Sequence, residues 1–333
     1  MTPRRGSSVA AGSLSLAASR RWTRRLARRR RENFVVVSML LPRRMRQAFY
    51  DLYAFCRMAD DLADESSDSA EALERLGEYR RFLHEIFHAI EADDRESAGR
   101  AEQPDSTGLE QSRIAVSQIQ WPGHTPPLFP AFADTVARYR LPRQPLDDLL
   151  DAFVADQHHQ LYPTLDTLLQ YCRRSADPVG RLILSLGNCL DEETARLSDS
   201  ICTGLQLVNF WQDVRRDASI GRIYIPVEII NRFGWTAADL RGAIAENRAT
   251  PPEIRRAIEY LCQDARTRFQ AGLPLAEFVP RWLANDVLLF AHGGLETIRA
   301  IESIDFDVLR TRPVVPRRRQ VRLVLAAWLG RLR

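Results

Sequence analysis

Lysine is absent from the 333-residue chain; all 47 basic side chains are arginine. That excludes chemistry built on a Schiff-base lysine or a P-loop lysine. Cysteine is sparse: Cys56, Cys172, Cys189, Cys202 and Cys262 are scattered, odd in number and never form a CxxC pair. This argues against a disulfide framework or a zinc ribbon and fits a reducing compartment. No apolar run approaches the roughly 18–20 residues of a membrane-spanning helix. The N-terminal segment lacks the continuous apolar region of a cleaved signal peptide. Alternating strand patterns are missing, as are GxGxxG and GxxxxGK[ST] phosphate loops. Acid is missing from both ends. Residues 1–31 hold ten arginines and residues 310–333 hold eight, so with a net charge of +4 the body, 32–309, carries −14.

What is present is an ordinary globular composition, 45% hydrophobic and 27% charged, which excludes collagen-like and wholly disordered classes. Apolar residues recur at helical spacing from about Pro42 to Asp64, and again in successive stretches from Ser69 to Ile301. The pattern predicts an all-α fold. Residues 1–31 read as a basic disordered tail and 32–312 as one helical domain. Within it, residues 92–127 are polar, carry four prolines and read as a long loop or insertion. Residues 313–333 form a basic amphipathic segment.

Candidate chemistry lies in two aspartate pairs. Asp60 and Asp64, in AFCRMADDLADE with Asp61 between them, are i and i+4 and so project from one helical face. Asp213 and Asp217 repeat that spacing, with Gln206 and Asn209 on the same stripe. Like charges at this spacing repel, and a hard cation bridging them would remove the penalty. A solvated surface accounts for one such stretch, but two facing stripes suit Mg²⁺ and a diphosphate, which Mg²⁺ prefers to an all-protein cage. Arg57, Arg215, Arg216 and Arg222 could neutralise phosphate oxygens. Phe34, Phe55, Tyr171, Phe210 and Trp211 are candidates for an aromatic cavity wall, each also readable as plain core. Asp156 could face the same cavity, and Arg310 and Arg312 could close over the diphosphate.

The segments NFVVVSMLLPRRMR, YAFCRMADDLADE, YCRRSADPVGRL and LQLVNFWQDVRRD…GRIYIP, in this order, resemble the squalene/phytoene synthase family of head-to-head isoprenoid synthases. The resemblance runs from about Glu32 to Arg312. It implies an all-α fold around a large apolar cavity, with Asp60, Asp61, Asp64, Asp213 and Asp217 as metal–diphosphate ligands and Mg²⁺ as cofactor. It also implies that Arg57 contacts diphosphate, that Gln206 and Asn209 line the site, and that Tyr171 stands beside the reaction centre. Asn33, Phe34, Arg174, Phe210, Arg216 and Arg222 are the further substrate-binding candidates.

Departures sharpen the resemblance. Asn33-Phe34 stands where relatives that condense two prenyl diphosphates have Ser-Phe. YCRRSADPVG replaces YCxxVAGxVG, with Arg174 at a common tyrosine position and Ser175-Ala176-Asp177 for Val-Ala-Gly. These features resemble the bacterial hydroxysqualene synthase branch of hopanoid biosynthesis, which implies conversion of presqualene diphosphate and water to hydroxysqualene and diphosphate. The alternatives are a synthase condensing two prenyl diphosphates to presqualene diphosphate, squalene or phytoene, and a non-catalytic interaction module. The arginine-rich ends, with Trp328 among Val and Leu in VRLVLAAWLG, have the composition of segments that lie at a membrane interface. No recognised motif or aromatic-interleaved surface points to nucleic acid. The expected setting is cytoplasmic, peripheral on the inner face of the membrane, with functional coupling to other squalene-pathway enzymes.

Overall fold

In the computed structural model, the described residues are 15–29, 41–64, 66, 68–98, 107–158 and 161–332. They form sixteen helices and no strand; one isolated bridge joins Leu161 and Ile223. The N-terminal half comprises α1 (Leu16–Arg29), α2 (Arg46–Asp64), α3 (Ser69–Ala98), α4 (Thr107–Ser117), α5 (Phe129–Tyr139) and α6 (Arg143–Ala155). Then come α7 (Leu165–Ser175), α8 (Asp177–Leu186), α9 (Glu192–Gln212), α10 (Val214–Ser219), α11 (Val227–Arg232) and α12 (Ala237–Ala245). The chain ends with α13 (Pro252–Gly272), α14 (Leu275–Phe278), α15 (Arg281–Ser303) and α16 (Arg317–Trp328).

Local chemistry sets the entries of the helices that matter most. Asp191 caps α9, accepting from the Thr194 backbone N–H at 2.8 Å, while Thr194 Oγ1 accepts from the Asp191 N–H at 2.9 Å. Thr164 and Thr167 make the same reciprocal pair at the start of α7. Helix α9 is the hub, packing against α8, α13 and α15. Gly180 permits the approach of α8: a Cβ there would stand 2.2 Å from Ser198 Oγ. Two apolar cores result. One gathers the buried faces of α2, α3, α5 and α6, and the other those of α7 to α15. Ile183 and Trp282 pack on both, and the Phe49 and Trp282 rings meet edge-on at 6.3 Å.

Two expectations need correction. The basic N-terminal segment is not a tail throughout, because Leu16–Arg29 forms α1 and packs on α2 and α5. Its arginines hide a stripe of small side chains at four-residue spacing, Ser19, Thr23 and Ala27, all buried. Ser19 Oγ donates to the Leu128 carbonyl at 3.1 Å and accepts from the Ala131 N–H at 3.0 Å. Arg20 reaches Asp134 at 2.6 Å. Residues 92–127 are likewise not a plain loop: α3 runs on to Ala98, and α4 returns along α3 and α5.

The fully buried Asp51 ties α1 to the fold. Its carboxylate accepts from Thr23 Oγ1 at 2.7 Å, Gln47 Nε2 at 2.8 Å and Thr135 Oγ1 at 2.8 Å. Burial pushes its carboxyl up to about 6, against the pull of those hydrogen bonds. The native state therefore keeps this proton to a higher pH than the unfolded chain, whose ordinary value is 3.8. The sign follows: this group favours folding most below pH ~4, and the contribution is lost as pH rises to about 6. Relative to Asp51→Asn, the wild type should lose about 2–3 kcal/mol over that interval, read by urea unfolding at both ends. Thr23→Val should cost about 1–3 kcal/mol at neutral pH, because Asp51 loses a donor.

Candidate active site

The first aspartate group lies in the last turn of α2. Arg57, one turn earlier, holds Asp60 at 2.9 Å and Asp61 at 2.5 Å. The second lies where α9 gives way to α10. The backbone breaks at Asp213, whose φ is −107°. The Asp217 N–H still donates to the Asp213 carbonyl at 2.9 Å, so the i, i+4 relation survives the break. Gly221 turns the chain at φ +83°, and the Arg222 N–H donates back to the Asp217 carbonyl at 2.9 Å. That turn aims Arg222 across to the first group, where its guanidinium lies 3.5 Å from Asp64. The two motifs therefore meet through Arg222.

Asp156 completes the acidic face. It accepts from the Tyr171 hydroxyl at 2.9 Å, and burial pushes its carboxyl up to about 6, with Asp64 and Asp60 adding to the rise and Arg222 opposing it. Burial first, and then Asp213, likewise raise Asp217 to about 6, while Arg216, Arg222 and Arg312 pull it down. Beside them stand four rings. Phe210 and Tyr224 stack at 3.7 Å with 9° between planes, and Tyr162 and Tyr171 lie 5.7 and 6.2 Å from Tyr224. Buried from water and near these carboxylates, the Tyr171 hydroxyl is held well above its ordinary pKa. It is a hydrogen-bond donor here and no source of phenolate.

A strap closes the second motif. Arg312 pairs with both Asp213 oxygens, the Nη2 contact being 3.1 Å, and Gln212 Nε2 donates to the Pro313 carbonyl at 2.7 Å. Arg216 is mostly exposed and reaches Asp213 only at 4.0 Å. From here apolar space runs inward along α9 and α15 as two adjoining cavities. The outer, of about 300 Å³, is lined by Asn209, Leu205, Phe290 and Gly293, with Leu323 and Val324 of α16 as its roof. The inner, of about 150 Å³, shares Leu205 and Phe290 and reaches Phe49, Ser198 and Asp286.

Most candidates thus converge. Arg57, Asp60, Asp61, Asp64, Asp213, Asp217, Arg222, Tyr171 and Phe210 belong to this region, with Asn209 at its apolar edge and half-buried Gln206 one turn earlier on α9. Arg174 does not. It is exposed and lines a separate polar cavity with Arg173, Arg181 and Arg268. Asp177, in the same departure, is buried and accepts from Thr203 Oγ1 at 2.8 Å, which makes it a helix-packing contact. Asn33 and Phe34 lie outside the described residues. Phe55 and Trp211 are core residues, fully buried. Tyr162 and Tyr224 were not singled out from sequence; Tyr224 sits in the quoted GRIYIP segment, where only its pairing with Phe210 reveals a role.

Among the described residues, no three carboxylate, imidazole or thiol groups stand together closely enough to hold an ion by themselves. The donor set nevertheless fits a hard divalent cation that also takes ligands from a diphosphate. It is all oxygen, and burial and like charge at Asp217 are the strains such an ion relieves.

Packed helices that set carboxylates and arginines near apolar cavities suit a substrate joining an anionic head to a hydrocarbon tail. The squalene/phytoene synthase family model matches residues 27–319, and the chain belongs to that family. It has the all-α fold of the squalene/phytoene-type isoprenoid enzymes. The crystal structure of squalene synthase HpnC from Alicyclobacillus acidocaldarius superposes with a TM-score of 0.72 at 36% identity, covering 89% of this chain and 98% of that one. Hydroxysqualene synthase of Zymomonas mobilis is 33% identical over 63% of this chain and 59% of its own. Presqualene diphosphate synthase of Rhodopseudomonas palustris is 27% identical over 68% of this chain and 71% of its own. The chain spans about half the length of a bifunctional lycopene cyclase/phytoene synthase of Pyrenophora tritici-repentis, 49% at 26% identity.

Asp213→Asn should let the Asp217 carboxyl fall from about 6 toward its ordinary 3.8, with burial keeping part of the elevation. Carboxyl ¹³C shifts followed through a pH titration measure it.

Proposed function

We propose that this chain converts presqualene diphosphate and water to hydroxysqualene and diphosphate, with Mg²⁺ as cofactor, in squalene and hopanoid synthesis. The observation that carries the reading is the meeting of both aspartate motifs at Arg222, beside a stacked aromatic wall. The choice of branch rests on the Asn33-Phe34 and CRRSADPVG segments and on the likeness to hydroxysqualene synthase. Mg²⁺ bound at Asp60, Asp61, Asp64, Asp213 and Asp217 would offset charge on the departing diphosphate. Arg57 and Arg222 would bind its oxygens, each exchanging a carboxylate partner for phosphate. The C–O bond breaks with its electron pair going to the diphosphate. Phe210, Tyr224, Tyr162 and Tyr171, grouped beside the carboxylates, would stabilise positive charge through their rings. The cavity walls keep bulk water from the cation, so that one water adds and loses one proton.

Purified protein given presqualene diphosphate should yield hydroxysqualene with or without NADPH. Asp60→Asn and Asp213→Asn should each lower the rate by about 100-fold or more. Folded variants that keep full biological activity in the cell would instead favour a non-catalytic interaction module. The second reading, condensation of two prenyl diphosphates, is favoured by the likeness to presqualene diphosphate synthase. Lipid product from farnesyl diphosphate alone would establish it instead.

We further propose that the enzyme works peripherally on an anionic membrane surface, where it would share lipid intermediates with other enzymes of the squalene pathway. No helix of the described residues is long and apolar enough to cross a membrane. Helix α16 instead exposes Val321, Leu325 and Trp328 on one stripe, flanked by Arg318 and Arg322, while Leu323 and Val324 face the outer cavity. Replacing Val321 and Leu325 with aspartate should abolish co-sedimentation with phosphatidylglycerol vesicles and leave the melting temperature unchanged. Retained binding would sink the proposal.

A further inference from the structure

The inner cavity contains a group that apolar packing does not account for. Asp286, on the buried face of α15, is 2% exposed, and among the described residues neither carboxylate oxygen has a hydrogen-bond partner. Its surroundings are Ile183, Ile201, Leu205, Val287 and Phe290, with Ser198 and Cys202 the other polar lining. Burial alone pushes its carboxyl up to about 8, so near neutral pH it is mainly the neutral acid, able both to donate and to accept. A buried polar group without a partner costs free energy, and ordered water is the usual remedy where the space admits it. A cavity of about 150 Å³ does admit it. Two carboxyl oxygens and the buried Ser198 hydroxyl supply the two or more partners such a water needs.

Position gives the feature its meaning. Asp213, Asn209 and Leu205 follow one another down α9 at one-turn intervals, about 6 Å each. Leu205 and Phe290 line both cavities, and Asp286 is one turn of α15 beyond Phe290. A substrate with its diphosphate at Asp213 and Asp217 would place its first carbons beside Asn209 and run its chain through that junction toward Asp286. We infer that Asp286, with Ser198, holds the water that captures the carbocation, and so acts as the positioning residue that decides between alcohol and hydrocarbon. This rests on the reading that the cation is quenched by water. The water oxygen gives a lone pair to the cationic carbon, the C–O bond forms, and the proton passes to the departed diphosphate. Without that water, the cation loses a proton from a neighbouring carbon and becomes a polyene.

Presqualene diphosphate supplied to wild type, Asp286→Leu and Asp286→Asn tests this, with lipid products and released diphosphate measured separately. In Asp286→Leu the alcohol-to-hydrocarbon ratio should fall at least tenfold while diphosphate release continues. Asp286→Asn, which can still bind water, should retain most of the alcohol. An unchanged ratio in Asp286→Leu overturns the inference. So does equal loss of diphosphate release in both variants with no change in the ratio, the mark of a purely structural role. Wild type that yields no alcohol overturns the functional reading and this inference with it, and shows before any substitution is made. A crystal structure of the resting wild type gives a check that needs no variant: ordered water within hydrogen-bond distance of Asp286 is expected, and a dry cavity overturns the proposal.

Discussion

Carboxylates crowded at the end of an apolar cavity repel one another and resist losing water, and the arginines around them make the arrangement tenable. Arg57 spans Asp60 and Asp61, Arg222 reaches Asp64 from the other motif, and Arg312 covers Asp213. The last two pairings join elements: Arg222 ties the turn after α10 to α2, and Arg312 ties the strap before α16 to the end of α9. The guanidinium suits this duty, since its planar fork can satisfy two oxygens and transfer from carboxylate to phosphate without changing charge. Asp156 and Asp217, where burial outweighs the nearby arginines, are the carboxyls left raised.

The helical architecture was legible because its signals are local. Apolar spacing marks the helices, and the two aspartate spacings mark side chains that the fold brings to one region. What escaped depended on partners far apart in sequence. The arginine run of α1 masked Ser19, Thr23 and Ala27, whose burial depends on Leu128 and Asp51 being nearby. Arg174 followed an aligned position within YCRRSADPVG, yet its side of α7 faces Arg181 and Arg268. Helical facing, which sequence spacing does specify, was outweighed there by likeness of motif. Tyr224 lacked a motif of its own and is revealed only by its stacking on Phe210, whereas Asp156, an expected cavity residue, gains its partner in Tyr171.

The division of charge along the chain acquires a structural sense. Part of the −14 of the body is the site itself, and arginines contributed by that same body already balance much of it locally. The basic ends are divided in their duties. In α1, arginine serves packing, with Arg20 on Asp134. In α16, Arg319 fastens the helix to Glu296 at 2.9 Å, while Arg318 and Arg322 remain exposed beside the apolar stripe. One residue type thus serves the site, the internal joints and an outward surface, and only burial tells these uses apart.

The two apolar cores meet along α8, α9 and α15, and the inner cavity lies at that meeting. Space at such a junction could have been filled by larger apolar side chains, since cavity-filling substitutions commonly stabilise a fold. It is kept open, and one wall carries a carboxylic acid. An isolated acid there weakens the native state unless something satisfies it. The arrangement resembles sites where stability is given up for placement of a reactive or hydrogen-bonding group. Asp286 therefore stands apart from Asp51, which is equally hidden but has three donors. Asp51 is buried for the sake of the fold. Asp286 is buried at the fold's expense, beside the space that a hydrocarbon chain would fill.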